Sequence, residues 1–213
     1  MDEIFEDIKD ALYKEEKERA VRLALEGLDD KLYSVVDLYE NVLKEVLYTI
    51  SRKDSPQVID IWSEHVITCI IRTIIEGAYL YLLEERDANA PDYKGKVMIL
   101  CPEGEFHELG PRMASDYFTL LGYNSIFVGS STPKEEVLKA VEKLDLKYVS
   151  ISVSNYDNIG AARSTIRLIR KKASKDLKIL VGGQVFIDNP DLAEEVETDM
   201  IVNSYNDIKG LHV

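Results

Sequence analysis

Residues 101–113 read CPEGEFHELGPRM and place Gly104, Glu105, His107 and Gly110 within seven positions. His107 is one of only three histidines in the chain. A neutral imidazole on a loop offers a lone pair to a metal ion. A carboxylate two residues away can bond its other ring nitrogen, fix the tautomer and raise its basicity. Glu105 stands at that spacing. Glycines on either side let a ligand come close to the backbone. Taken singly, a loop histidine is more often solvated or structural, so the elements around it decide what this one can do.

VMILC (97–101), SIFVG (125–129), YVSISVS (148–154), KILVG (178–182) and DMIVN (199–203) are short apolar runs separated by helix-like stretches. Thr132-Pro133-Lys134-Glu135 is a capping box with proline at the first helical position, and Asn189-Pro190 repeats the cap-plus-proline arrangement. This alternation predicts a parallel, doubly wound, flavodoxin-like (Rossmann-like) sheet of five strands, in which ligands bind beyond the carboxyl ends of the strands at the switch point. The histidine loop falls at that edge. So do Ser152 and Ser154 after the third run, and Gly182-Gly183 after the fourth. Any one of these features is weak; their joint placement at successive strand ends is specific.

This combination resembles the cobalamin (vitamin B12) binding domain family, whose signature is D-x-H-x-x-G, then S-x-L or a relative, then G-G. The resemblance covers roughly residues 95–205. It implies that cobalamin binds base-off, His-on, as the adenosyl, methyl or hydroxo form. His107 would be the lower axial cobalt ligand and Glu105 its hydrogen-bonded partner. Gly110 would admit the displaced nucleotide tail, Ser152 and Ser154 would line its slot, and Gly182 and Gly183 would pack against it. Two positions depart from the pattern: Glu105 stands for Asp, and Ser154 for the commoner Leu.

The N-terminal part has a different period. Val35, Leu38, Tyr39, Val42, Leu43, Val46, Leu47 and Ile50 recur at helical spacing, and segments 2–14 and 16–27 are amphipathic. Ser55-Pro56 signals the start of a further helix running to about Leu83. Its apolar stretch 65–83 carries Arg72 and Glu76, which reads as a buried core helix rather than a membrane span. The expected organisation is a four-helix bundle cap over residues 1–86, a linker over 87–95 and a cobalamin-binding α/β domain over 96–213. Relatives of the light-sensing type hold Glu-His in such a cap, and Glu64-His65 fits that pattern as an upper-face pair. The tryptophan of that pattern falls at Asp54; the only tryptophan is Trp62.

Composition limits the partners. A net charge of −13 and an isoelectric point near 4.7 oppose direct nucleic-acid binding. The best basic cluster, Arg167, Arg170, Lys171, Lys172 and Lys175, reads as the solvated end of one helix. Cys69 and Cys101 sit in apolar runs and read as small buried hydrophobes without a disulfide. His212 reads as a solvated tail residue. The acidic, amphipathic N-terminus is unlike a secretory signal, and a cytoplasmic protein is expected.

P-x-G-E-x-H-E-L-G resembles cobalamin-dependent regulators, including photoreceptors. The expected function is therefore a sensor without its own DNA-binding module, holding cobalamin between cap and sheet. It would signal through a protein partner, such as a transcription regulator, or through a change of homo-oligomer. The alternative is a methyl-carrier corrinoid protein serving methyltransferases. Such carriers read D-x-H-D-I-G-K-N where this chain reads E-F-H-E-L-G-P-R. A phosphoacceptor domain would need an Asp ending the third strand, where Ser-Val-Ser-Asn stands. A dinucleotide enzyme would need G-x-G-x-x-G after the first strand. No side-chain pair suggests catalysis by the protein alone, so a non-enzyme is expected.

Overall fold

The computed structural model describes residues 1–51, 59–89, 91–174 and 176–211. The helix start at Ser55-Pro56, together with Asp54, Lys175 and His212, lies outside them. The chain divides into two compact units, Met1–Asn89 and Ala90–Val213.

The first unit is helical. α1 (Asp2–Tyr13) and α2 (Lys17–Asp29) bury Phe5, Ile8, Leu12, Ala20, Ala24 and Leu28 along single faces. The third rod starts at Ser34, whose hydroxyl and backbone form a capping box with Asp37. It comprises α3 (Val35–Leu38), a π-helical turn (Tyr39–Leu43) and α4 (Lys44–Ser51). The wide turn carries Tyr39, Val42 and Leu43 into the core together. α5 (Ile61–Asn89) is long and apolar enough to cross a membrane by length and composition. Within the unit its Ile67, Ile70, Ile71, Ile74, Ile75, Ala78 and Leu82 are buried in one face against the bundle. α5 continues through residues 87–89, which the sequence assigned to the linker.

The second unit is a five-stranded parallel sheet of order β2-β1-β3-β4-β5. The strands are β1 (Lys96–Pro102), β2 (Asn124–Thr132), β3 (Leu146–Ser152), β4 (Lys178–Gly182) and β5 (Met200–Ile201). The chain reverses its direction across the sheet between β1 and β3, which sets the switch point there. Met98, Leu100, Val149, Ile151, Ile179 and Val181 form one face. They pack against α7 (Lys134–Lys143), α8 (Ile159–Lys172), α9 (Gln184–Asp188) and α10 (Leu192–Glu195) through Val137, Ile166, Val185 and Leu192. By strand alternation, Tyr148, Ser150 and Ser152 point to the other face. There α6 (Leu109–Leu120) brings Phe118 within 6.5 Å of Tyr148. The last helix, α11 (Tyr205–Lys209), is only five residues long and meets α6 through an edge-on Tyr205–Tyr117 contact.

Two expectations change here. Cys101 is buried, but Cys69 is exposed, because it lies on the α5 face turned away from the bundle. The arginines of α8 are not simply solvated. Arg163, Arg167 and Arg170 reach Glu195, Glu197 and Asp199 at 3.0, 3.4 and 2.6 Å, tying the helix to the connection before β5.

Candidate functional site

β1 ends at Pro102, and the chain crosses the carboxyl edge of the sheet before α6 begins at Leu109. Gly104 turns the loop in a left-handed conformation (φ +85°), and a Cβ there would lie 3.1 Å from Asn158 Oδ1. The turn drives Glu105 inward, where it is wholly buried, while His107 keeps about half of its side chain exposed.

Among the described residues, the hydrogen bonds to the Glu105 carboxylate come from N–H groups. Oε1 accepts from the His107 backbone at 3.0 Å and lies 2.5 Å from His107 Nδ1. Oε2 accepts from the Ser154 and Asn155 backbones at 2.9 Å and from the Asn158 side-chain amide at 3.0 Å. Burial acts to raise the carboxyl pKa. The hydrogen bonds from His107, Asn155 and Asn158 outweigh it and bring Glu105 down to about 2. An ionised carboxylate can only accept, so Nδ1 carries the proton and donates. In the neutral ring Nε2 is then the nitrogen that keeps its lone pair, the kind of donor that can bind a metal ion.

The loop is also held from below and from the β2 side. Cys101 donates its thiol hydrogen to the His107 carbonyl at 3.6 Å, and burial next to Glu105 and Glu108 pushes that thiol up to about 12. Glu108 accepts from the Ser130 backbone at 3.1 Å. Ser131 accepts from Gly104 N at 3.1 Å through its hydroxyl and donates its own N–H to the Glu105 carbonyl at 2.9 Å.

The remaining expected residues are distributed around this centre. Ser154 reaches Glu105 through its backbone, so the hydroxyl is not the group engaged there. Ser152 is buried at the end of β3, paired in register with Gly182, and Ser150 is buried on the same face one pleat earlier. Those hydroxyls occupy positions where a strand buried only for stability would carry aliphatic side chains. Gly110 lies exposed in the first turn of α6, with nothing within 4 Å of where a Cβ would be. Gly182 and Gly183 (φ +97°) are required by the fold itself, since a Cβ would lie 2.3 Å from the Val202 carbonyl oxygen or 2.4 Å from that of Val153. Gly183 N is capped by Asn203 at 2.9 Å. Glu64 and His65 belong to the helical unit, on the first turns of α5, where Glu64 is half-buried and His65 exposed beside an exposed Trp62.

Asn158, Glu108, Ser131 and Cys101 were not read from the sequence as parts of the site. Only Glu108 carried a signal, as the acidic residue directly after the histidine. Phe106 and Tyr156, 71% and 58% exposed, are aromatic residues left open at the same carboxyl edge.

Residues 95–207 match the family model described as the B12 binding domain. The chain is 35% identical over 60 residues to a methanol–corrinoid protein of Methanosarcina barkeri (strain Fusaro / DSM 804); the alignment covers 28% of this chain and 23% of that one. It is 21% identical over 183 residues to a corrinoid protein of Desulfitobacterium hafniense (strain Y51), covering 84% and 83% of the two chains. Among solved structures, the M. barkeri monomethylamine corrinoid protein superposes with a TM-score of 0.83 at 17% identity over 97% and 95% of the chains. A structure of the methanol:cobalamin methyltransferase complex from the same organism gives 0.50 at 20% identity, over 97% of this chain and 76% of that one.

Proposed function

Starting from the fact that this chain belongs to the B12-binding domain family and binds cobalamin, we propose that it is the methyl-carrying corrinoid protein of a methyltransferase system. The observation that carries the reading is the 2.5 Å contact between a buried, ionised Glu105 and Nδ1 of a half-exposed His107. It keeps the proton on Nδ1, so that Nε2 would be the nitrogen offered to a metal, and the negative charge behind the ring would strengthen that donation.

When bound, the corrinoid cobalt supplies the position that holds the methyl group. The protein's share is binding and orientation. His107 would hold the cobalt through Nε2. Gly110, which has open space around its α-carbon, would admit part of the cofactor, and Ser150 and Ser152 would offer it hydroxyls. Gly182 and Gly183 keep the neighbouring backbone narrow. Glu64 and His65, on the first turns of α5, stay proposed corrinoid contacts of the helical unit.

The relatives named above favour the carrier over the sensor expected from P-x-G-E-x-H-E-L-G. They are corrinoid proteins, and two are named for methanol or monomethylamine. The chain still departs from the carrier motif after the histidine, with Glu108, Pro111 and Arg112 where carriers have Asp, Lys and Asn. The partner under this reading is a methyltransferase.

The test is reconstitution in the dark with hydroxo-, methyl- and adenosylcobalamin, desalting, and absorbance spectroscopy beside His107→Ala, with sedimentation before and after illumination. The carrier reading expects a stoichiometric base-off, His-on spectrum that His107→Ala abolishes, and one sedimentation coefficient under all conditions. A change of oligomer size with the upper ligand or with light would return the sensor. Loss of all colour on desalting would defeat both.

A further inference from the structure

The histidine loop spans three neighbouring strand ends, and the Glu105 carboxylate ties it to the β3 end alone. On the β2 side a second set of contacts holds the same residues. The Glu108 carboxylate accepts from Ser130 N at 3.1 Å and lies over Gly129, where a Cβ would stand 3.6 Å from Oε2. Ser131 meets Gly104 and Glu105 from the same side, at 3.1 and 2.9 Å. The register between β1 and β2 shifts twice at this place, between Ile99 and Leu100 and between Leu100 and Pro102. Ser131 itself sits at φ 47° and Gly129 at φ 104°. A non-glycine residue in the left-handed region persists only where its surroundings over-determine it, and such residues concentrate at functional sites. Here the unusual conformation turns both the N–H and the hydroxyl of Ser131 onto the histidine loop.

Resting on the reading of His107 as the axial ligand, we propose that Glu108 and Ser131 are positioning residues that fix the ring's direction from the side opposite Glu105. Glu105 takes the N–H of His107 toward β3, and Glu108, the next residue, is held to β2. The backbone of His107 is thereby fixed at both ends. Glu105 alone would leave the ring free to swing about the β3 anchor. With both anchors in place, Nε2 stays aimed along one direction from the sheet edge. Neither Glu108 nor Ser131 touches the ligand under this assignment; they act through the loop.

The test uses the full chain with Glu108→Ala, Glu108→Gln and Ser131→Gly, the last keeping the left-handed backbone while removing the hydroxyl. After reconstitution with cobalamin and reduction to the cob(II) form, axial nitrogen coordination is read from the nitrogen splitting in the electron paramagnetic resonance spectrum. Glu108→Ala and Ser131→Gly are expected to retain corrinoid at the wild-type ratio while the nitrogen-bound fraction falls severalfold. Glu108→Gln, which keeps an acceptor for Ser130 N, restores it. A full nitrogen-bound fraction in Glu108→Ala overturns the proposal, as does a loss in Glu108→Gln as large as that in Glu108→Ala. Hydrogen exchange of the cofactor-free protein gives an independent reading. Residues 104–108 should exchange severalfold faster in Glu108→Ala and Ser131→Gly, with the strands unchanged; wild-type exchange there overturns the clamp. If the wild-type protein retains no corrinoid, the carrier reading fails, and the exchange measurement still decides whether the clamp exists.

Discussion

Glu105 and Asp199 are two carboxylates at opposite ends of one sheet, and both are held below the ordinary carboxylate range. For Asp199, burial is outweighed by hydrogen bonds from Ile179 N and Arg170, with Lys178 nearby. Its Oδ2 is 2.7 Å from Ile179 N and 2.6 Å from the Arg170 guanidinium. That negative charge is cancelled where it stands, and the group stitches α8 to the start of β4 and β5. Glu105 is buried more completely, yet no cation meets its carboxylate among the contacts described; its donors are backbone and side-chain N–H groups and one imidazole. A structural carboxylate closes on itself. The one at the carboxyl edge instead directs its charge through the His107 imidazole, which it holds by Nδ1.

The comparison can be broken most directly by truncation at the more buried site. Glu105→Ala strands the N–H groups of Ser154, Asn155 and Asn158 in a buried place. It should cost about 3 kcal/mol or more in chemical denaturation of the apo-protein and remove the His-on spectrum. An effect under about 1 kcal/mol would show that water replaces the carboxylate without loss.

Acid acts on the same group. The folded pKa of Glu105 lies below its unfolded value of about 4.5, so its contribution is complete above that pH and is lost as pH falls toward about 2. The contribution is on the order of 3 kcal/mol. Glu105→Gln should flatten that part of the acid-unfolding curve, and a curve superposing on wild type would contradict the burial argument.

Asp199→Ala is the matched control at the other end. Loss of the Ile179 and Arg170 bonds should cost about 2 kcal/mol, while corrinoid binding and the His-on spectrum stay unchanged. A weakened spectrum in this variant would mean that the two ends of the sheet are coupled. Asn158→Ala removes one of five donors at Glu105 and should cost about 1 kcal/mol, with partial loss of the His-on form.

The two cysteines give the smallest and sharpest readout. Cys69 should react with a thiol reagent in the native protein and Cys101 should not, because the latter is buried beneath the loop with its thiol pushed up to about 12. In Glu105→Ala, Cys101 should become labelled as the loop lifts; protection equal to wild type would show that the loop stays closed without its carboxylate.

Much of the molecule was legible along the chain. Apolar runs alternating with helix-like stretches located β1 to β5 within a few residues, and the helical spacing from Val35 to Ile50 located the third rod of the bundle. The caps read at Thr132 and Asn189 did not form: Thr132 ends β2, α7 starts after Pro133 without a side-chain cap, and α10 starts after Asp191. The π turn at Tyr39–Leu43 was not legible, since the extra residue changes the register without breaking the apolar recurrence. Nor was the exposure of Cys69 and Trp62. α5 is apolar nearly all round, so its pattern does not tell which face the bundle takes.

At the site, the sequence by itself determined the types and the spacing: an imidazole two residues from a carboxylate, on a glycine-flanked loop at a switch point. These are local properties of a strand followed by a helix. What holds Glu105 comes from residues 49, 50 and 53 positions away, and what holds Glu108 from 22 positions away. Those distances close only after β1 has paired with β2 on one side and β3 on the other in a particular register. The tertiary structure therefore decided which N–H groups fix the histidine, because sheet register, and not sequence neighbourhood, sets which loops meet at the carboxyl edge.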